Sequence, residues 1–154
     1  MLARILAALA AVIALAGCGV FVAPSPTAGE MGDLVSALVL RGVTITDQVS
    51  GDAGCSDPSL FGNAIRYDAR MAGETATVPI YVLRWNSQQT FDANEPAFQA
   101  CVAQFQQANP GVNLLTFEDS PWRVYSAAPS SLLRGAIVEA VTAVAGASPP
   151  EEIQ

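Results

Sequence analysis

The 154-residue sequence contains no histidine and no lysine. Histidine is the most common general base in enzymes and lysine is its usual substitute, so their absence excludes the Ser-His-Asp, Cys-His and Ser-Lys catalytic arrangements. It also excludes a histidine-based pH switch. A mechanism based on carboxylates would have to use groups such as the adjacent Glu118 and Asp119. Adjacent residues on a strand point to opposite faces, and in a turn they more often cap backbone amides than share a substrate.

Positive charge is also scarce, because arginine supplies all seven basic residues against 14 Asp and Glu. The formal net charge of −7 would repel nucleic acid and anionic headgroups.

The segment with Asp47, Asp52 and Asp57 offers oxygen ligands, but it lacks the acidic spacing and closing glutamate of an EF-hand. A zinc site at cysteines would need two carboxylates in place of histidines. We therefore predict no metal and no cofactor.

The N-terminal residues have the composition of a targeting signal. Arg4 is followed by an uncharged stretch that ends in Leu15-Ala16-Gly17-Cys18. This tetrapeptide resembles the lipobox of bacterial lipoprotein precursors. The resemblance implies that Cys18 receives a diacylglyceryl group through a thioether, that residues 1–17 are removed as a signal peptide, and that the new amine is usually acylated. Two or three acyl chains suffice for stable attachment to a cell membrane or outer membrane, with the domain outside the cytoplasm.

Two other interpretations of this segment remain open. Ala14-Leu15-Ala16 also fits the small-x-small pattern of ordinary secretion signals. The charge-free run from Ile5 to Ala23 is long enough to span a bilayer as an uncleaved anchor, although its alanines and glycines make it only weakly apolar. Neither interpretation explains a cysteine directly after Leu-Ala-Gly, so we favour lipidation.

The remaining chain has the length of one domain. Residues 18–29 contain the lipidated cysteine and a small, proline-punctuated tether, residues 30–147 form the predicted domain, and residues 148–154 are predicted to be a disordered tail. After removal of residues 1–17, six arginines remain against 14 acidic residues, which gives a formal charge of −8. About 137 residues can bury a substantial core.

Cys55 and Cys101 are left as an even pair once Cys18 is assigned to lipid. In a protein exported to an oxidising compartment, such a pair is typical of a disulfide. The alternative is two independent buried thiols, because spacing alone does not show that the two Cα atoms are within reach.

Hydrophobic periodicity and turn residues predict three main helices and five short strands in the order α-β-β-β-α-β-β-α. The predicted helices cover about residues 30–41, 94–108 and 131–145, and the strands cover 43–46, 63–71, a partner strand ending near 85, 114–117 and 122–125, with a loop over 47–62. Hairpin-length links favour an α+β fold. We expect a single two-layer domain, with an antiparallel or mixed sheet and the helices packed on one face.

The central hairpin has one unusual feature. A turn at Gly73-Glu74 would pair residues whose numbers sum to 147 and would place Ile65, Tyr67 and Ala69 on the core face. The other face would then carry Tyr81, Leu83 and Trp85, with Arg66 against the Tyr81 ring. This arrangement is a candidate contact surface for a partner or ligand. The alternative is a solvated face, or one covered by the terminal tail.

From the sequence we expect a non-catalytic lipoprotein, held at the membrane through Cys18, whose surface contacts a protein or another component of the cell envelope. A second hypothesis is a small-ligand carrier with a pocket between sheet and helices, lined by Tyr67, Trp85 or Trp122. A third is a carboxylate-dependent hydrolase, which would need two convergent buried carboxylates in a cleft.

Overall fold

A computed structural model describes residues 29–146. The predicted signal peptide, the predicted lipidation site Cys18, nearly all of the predicted tether and the predicted C-terminal tail lie outside these residues. The described chain forms one five-stranded antiparallel sheet with strand order β1-β2-β3-β5-β4. The strands are β1 (Val43–Ser50), β2 (Ala64–Met71), β3 (Val78–Arg84), β4 (Leu115–Asp119) and β5 (Trp122–Ser126). The predicted α+β class is confirmed.

Five helices connect or flank these strands within the described residues. They are α1 (Met31–Leu40), α2 (Pro58–Phe61), α3 (Gln88–Ala93), α4 (Glu95–Ala108) and α5 (Ser131–Ala145). The three longer helices agree closely with the sequence prediction, and the short helices α2 and α3 were not predicted.

The ends of α5 illustrate why the longer helices are readable from sequence. The Ser130 hydroxyl accepts a hydrogen bond from the Leu133 backbone N–H, which satisfies one of the free donors of the first turn. Gly146 then ends the helix in the left-handed conformation, with φ at 73°. Glycine adopts this conformation without the steric cost that a side chain imposes.

The β2–β3 hairpin has the predicted register. Ile65 pairs with Val82, Tyr67 pairs with Ile80, and the reversal passes through Gly73. Strand β1 is longer than predicted, because pairing with β2 continues past a bulge between Ile45 and Asp47. A bulge interrupts the alternation of side chains between the two faces, so the pattern on which the sequence prediction relied stops before the strand does.

The helices cover both faces of the sheet, which corrects the expectation of a two-layer domain with helices on one face. Helices α1 and α5 pack against one face, in a core that includes the β3 residues Ile80 and Val82. Helices α2, α3 and α4 pack against the other face, in a second core that includes Tyr81 and Leu83. The physical reason is that β3 carries apolar side chains on both of its faces, so each face needs a covering layer.

Candidate functional site

The predicted contact surface is buried, so it cannot serve as an exposed contact site in this structure. Leu83 and Trp85 are 0% and 2% exposed, and Tyr81 is 9% exposed. The Tyr81 ring stacks on Tyr125 with a centroid separation of 4.8 Å and meets Phe105 of α4 edge-on. These aromatic residues therefore stabilise the second core, which the sequence analysis did not predict.

Arg66 does lie opposite Tyr81 in the hairpin, as predicted. Its guanidinium forms ion pairs with Asp52 at 2.8 Å and with Asp68 at 3.1 Å. The Asp52 carboxylate also accepts a hydrogen bond from the Gly54 backbone N–H at 2.9 Å. Arg66 is thus part of a half-buried charge network that holds the 52–54 turn against β2.

The aspartates that were considered as calcium ligands are each used locally. Asp52 pairs with Arg66, Asp47 accepts a hydrogen bond from the next backbone N–H, and Asp57 caps α2. The Ser59 hydroxyl and backbone N–H both donate to Asp57, and these hydrogen bonds lower the pKa of its carboxyl.

Cys55 and Cys101 form a disulfide, with their Cα atoms 5.3 Å apart. The bridge ties the loop before α2 to the buried face of α4. Beside it, the Tyr125 hydroxyl donates a hydrogen bond to the Ala53 carbonyl. Burial raises the pKa of Tyr125 far above its usual range and also raises that of Tyr81. The loop carrying Cys55 is therefore held by both a covalent bond and a buried hydroxyl.

Gly54 is required by this packing. Its φ of +75° lies in the left-handed region, and a Cβ atom built on it would stand 2.8 and 2.9 Å from carbon atoms of the Tyr81 ring. The same Cβ would overlap the Tyr125 hydroxyl. Only a residue without a side chain lets the loop approach the two rings so closely.

Arg123 is a buried charged residue that sequence reasoning missed. It is 1% exposed, and its Nε donates to Glu118 at 2.8 Å while Nη1 donates to the Phe91 carbonyl at 3.0 Å. Its guanidinium lies 3.9 Å from the centroid of the Phe91 ring. Glu118 also accepts a hydrogen bond from Gln99 at 2.7 Å. Glu118 is thus committed to Arg123 and Gln99, which weakens the carboxylate-hydrolase hypothesis.

The aromatic residues of the carrier hypothesis are divided between the two cores. Tyr67 and Trp122 lie in the core under α1 and α5, whereas Trp85 lies in the core on the opposite face of the sheet. None of the three is more than 2% exposed. Each of the three side chains is packed inside a core, which weakens the carrier hypothesis.

A cleft with a volume of about 320 Å³ lies at one end of the sheet. It lies where β1 ends, β2 begins, β3 ends and α1 begins. Its main side chains, which define what we call the end cleft, are Met31, Ser50, Phe61, Asn63, Arg84 and Asn86. A volume near 300 Å³ is at the small end of ligand-binding pockets in proteins.

The end cleft contains polar groups with spare hydrogen-bonding capacity. The Ser50 hydroxyl and the Asn63 amide take part in none of the side-chain hydrogen bonds among residues 29–146. The Asn63 backbone is fixed on both sides, because its N–H donates to the Leu60 carbonyl and its carbonyl accepts from the Arg84 N–H, each at 3.0 Å. The Asn63 side chain is therefore attached to a backbone that is held in place. Sequence reasoning missed this site, because its residues are far apart in the chain.

Arg84 is the cationic residue of the end cleft. Its Nη2 donates to Glu30 at 3.1 Å, its Nη1 lies 3.5 Å from the Asn86 side-chain oxygen, and its guanidinium lies 5.5 Å from the Trp122 ring centroid. The carboxylate of Glu30 balances this positive charge, so the cleft has no uncompensated cation for an anionic ligand.

The described chain begins close to the end cleft. Gly29 donates its backbone N–H to the Val144 carbonyl at 2.7 Å, so both ends of the described chain lie together. Met31, two residues after Gly29, lines the cleft. The cleft is therefore on the end of the domain where the preceding chain arrives.

Between residues 29 and 146, no three His, Cys, Asp or Glu side chains are placed to hold a metal ion. No helix in that range has the length and hydrophobicity needed to cross a membrane. No family model, curated protein or solved structure matches the chain.

Proposed function

We propose that this protein is a bacterial lipoprotein, anchored through lipid at Cys18, whose domain binds a component of the cell envelope through the end cleft and has no catalytic activity. The observation that carries the proposal is the combination of Leu15-Ala16-Gly17-Cys18 with a chain that enters the domain beside the end cleft. The disulfide between Cys55 and Cys101 supports location in an oxidising compartment.

The distance between lipid and cleft is limited by the covalent chain. From Cys18 to Gly29 there are eleven residue steps, and a fully extended chain spans at most about 40 Å over that length. The end cleft would therefore work close to the bilayer surface. The absence of histidine and lysine, and the commitment of Glu118 to Arg123, support a binding role over catalysis.

Membrane fractionation of cells that produce the full-length chain tests the anchor. We expect the unchanged protein to sediment with membranes and to require detergent for release. Cys18→Ala should move it to the soluble fraction or the medium, since the residue that accepts the lipid is gone. The matched control is the double variant Cys55→Ala/Cys101→Ala, which removes the other cysteines and should stay with the membranes. Equal membrane retention of Cys18→Ala, together with an unchanged protein that still begins at Met1, would refute the lipid anchor and favour an uncleaved span.

A further inference from the structure

We propose that the end cleft binds an uncharged, hydroxyl-rich ligand, of which a neutral glycan unit is the clearest example. This inference rests on the proposed function only in taking the end cleft as the binding surface. It follows from the hydrogen-bonding groups, the exposed ring and the charge balance of the cleft.

The polar groups of the end cleft can both donate and accept hydrogen bonds. Asn63 and Asn86 each carry a carbonyl oxygen that accepts and an NH₂ group that donates, and Ser50 has a hydroxyl that does both. A sugar hydroxyl likewise donates and accepts, so it can match both kinds of group at once. An anion offers acceptors only, and an ammonium group offers donors only.

The end cleft also has an exposed aromatic residue. Phe61 ends α2 at the wall of the end cleft and is 38% exposed, whereas the other aromatic residues discussed above are buried. A sugar ring presents an apolar C–H face as well as hydroxyls, and Phe61 supplies an apolar surface beside the amides. Met31 adds a second apolar group on the side of α1.

The positive charge in the end cleft is already paired. Arg84 is paired with Glu30 at 3.1 Å, and the chain as a whole carries a net charge of −7. A phosphate or carboxylate ligand would have to compete with Glu30 for Arg84 and approach a negatively charged domain. An uncharged ligand avoids both costs, and the guanidinium can still donate hydrogen bonds to hydroxyl oxygens.

The test is a titration of the purified, detergent-solubilised full protein, followed by nuclear magnetic resonance or calorimetry. The probes are cellobiose and N,N′-diacetylchitobiose as uncharged sugars, glucose 1-phosphate as the anionic analogue, and tetra-alanine as a peptide. We expect saturable binding of at least one uncharged sugar with a Kd of about 1 mM or lower, and weaker binding of the phosphate and the peptide.

Two variants place the binding in the end cleft. Asn63→Ala removes the fixed amide and Phe61→Ala removes the ring, and each should weaken sugar binding about tenfold, the effect of losing one or two hydrogen bonds or a stacked contact. The matched controls are Asn113→Ala and Leu132→Ala, which remove an amide and an exposed apolar side chain outside the cleft. Both controls should bind as the unchanged protein does.

The proposal is overturned if neither sugar binds at about 10 mM, if the phosphate or the peptide binds more tightly, or if Asn63→Ala and Phe61→Ala leave sugar binding unchanged. Because the titration does not depend on the lipid, it separates this proposal from the anchor. If the protein fails to bind sugars, the Cys18→Ala variant can still show whether lipid holds it at the membrane. If the lipid anchor is refuted, the titration can still show whether the end cleft binds sugars.

Discussion

Removal of the disulfide should cost this domain a large part of its stability. Cys55 and Cys101 are 46 residues apart in the chain, and closing a loop of that length lowers the entropy of the unfolded state by an amount worth about 4 kcal/mol. A domain of this size is typically stable by only about 5–15 kcal/mol. The double variant Cys55→Ala/Cys101→Ala should therefore fold, but with a much smaller margin.

The native loop should keep its place without the bridge, which is why the chain-entropy value applies. The Tyr125 hydroxyl still donates to the Ala53 carbonyl, and Asp52 still pairs with Arg66 at 2.8 Å. The effect of the substitution therefore falls mainly on the unfolded chain.

Urea unfolding followed by fluorescence measures this loss, because both tryptophans, Trp85 and Trp122, are buried and report on core exposure. With an m value of about 1.5 kcal/mol per molar, the midpoint should fall by about 2–3 M. The unchanged protein treated with a reductant is the matched control and should show a similar shift. A loss below about 1 kcal/mol in both samples would refute the reasoning.

Three further predictions follow from the same cores. Gly54→Ala should lower the free energy of unfolding by about 3 kcal/mol in urea, because the new Cβ would meet Tyr81 and Tyr125 and the φ of residue 54 is positive. A loss of stability no larger than that of a Gly→Ala variant at an exposed position would contradict this packing. Arg123→Ala should cost about 3 kcal/mol, since it leaves a cavity and deprives the Phe91 carbonyl and Glu118 of their partner, and a neutral result would show that these contacts are dispensable. The pKa of each of the three tyrosines is raised by burial, so the tyrosines of the unfolded chain ionise at lower pH than those of the folded chain. Stability should therefore fall as pH rises above about 10, by up to about 1.4 kcal/mol per pH unit for each tyrosine. Unfolding midpoints that stay constant from pH 9 to about 11.5 would contradict this.

Local features of the fold were predictable because each depends on a short stretch of sequence. The β2–β3 register follows from a glycine turn and alternating side chains, and both were present in the sequence. The α5 helix begins and ends where Ser130 and Gly146 provide capping groups. The disulfide was predictable from the even number of cysteines left after Cys18.

The layered arrangement was not predicted, because it depends on how separate strands combine. Arg66 and Asp68 made one face of β2 look solvated, yet they form ion pairs beneath the loop that carries Asp52. The useful signal was in β3, where the run from Ile80 to Leu83 has no polar residue and is therefore typical of a strand buried on both faces.

The end cleft could not be predicted from the sequence, because it too depends on how separate elements come together. Its groups come from α1, the end of β1, the α2–β2 turn and the end of β3, and none of them forms a motif along the chain. The buried Arg123 was missed because a single arginine in a short strand has the same appearance in sequence whether it is solvated or paired. Its partner Glu118 is identified only by the pairing of β4 with β5.

The central claim is that the domain is held at a membrane by lipid on Cys18. Intact-mass analysis of the protein extracted from membranes with detergent tests it most directly. The account predicts a mature chain that begins at Cys18 and carries the added mass of a diacylglyceryl group, with or without a further acyl chain. A mature N-terminus at another residue, or an unmodified thiol at Cys18, would contradict it.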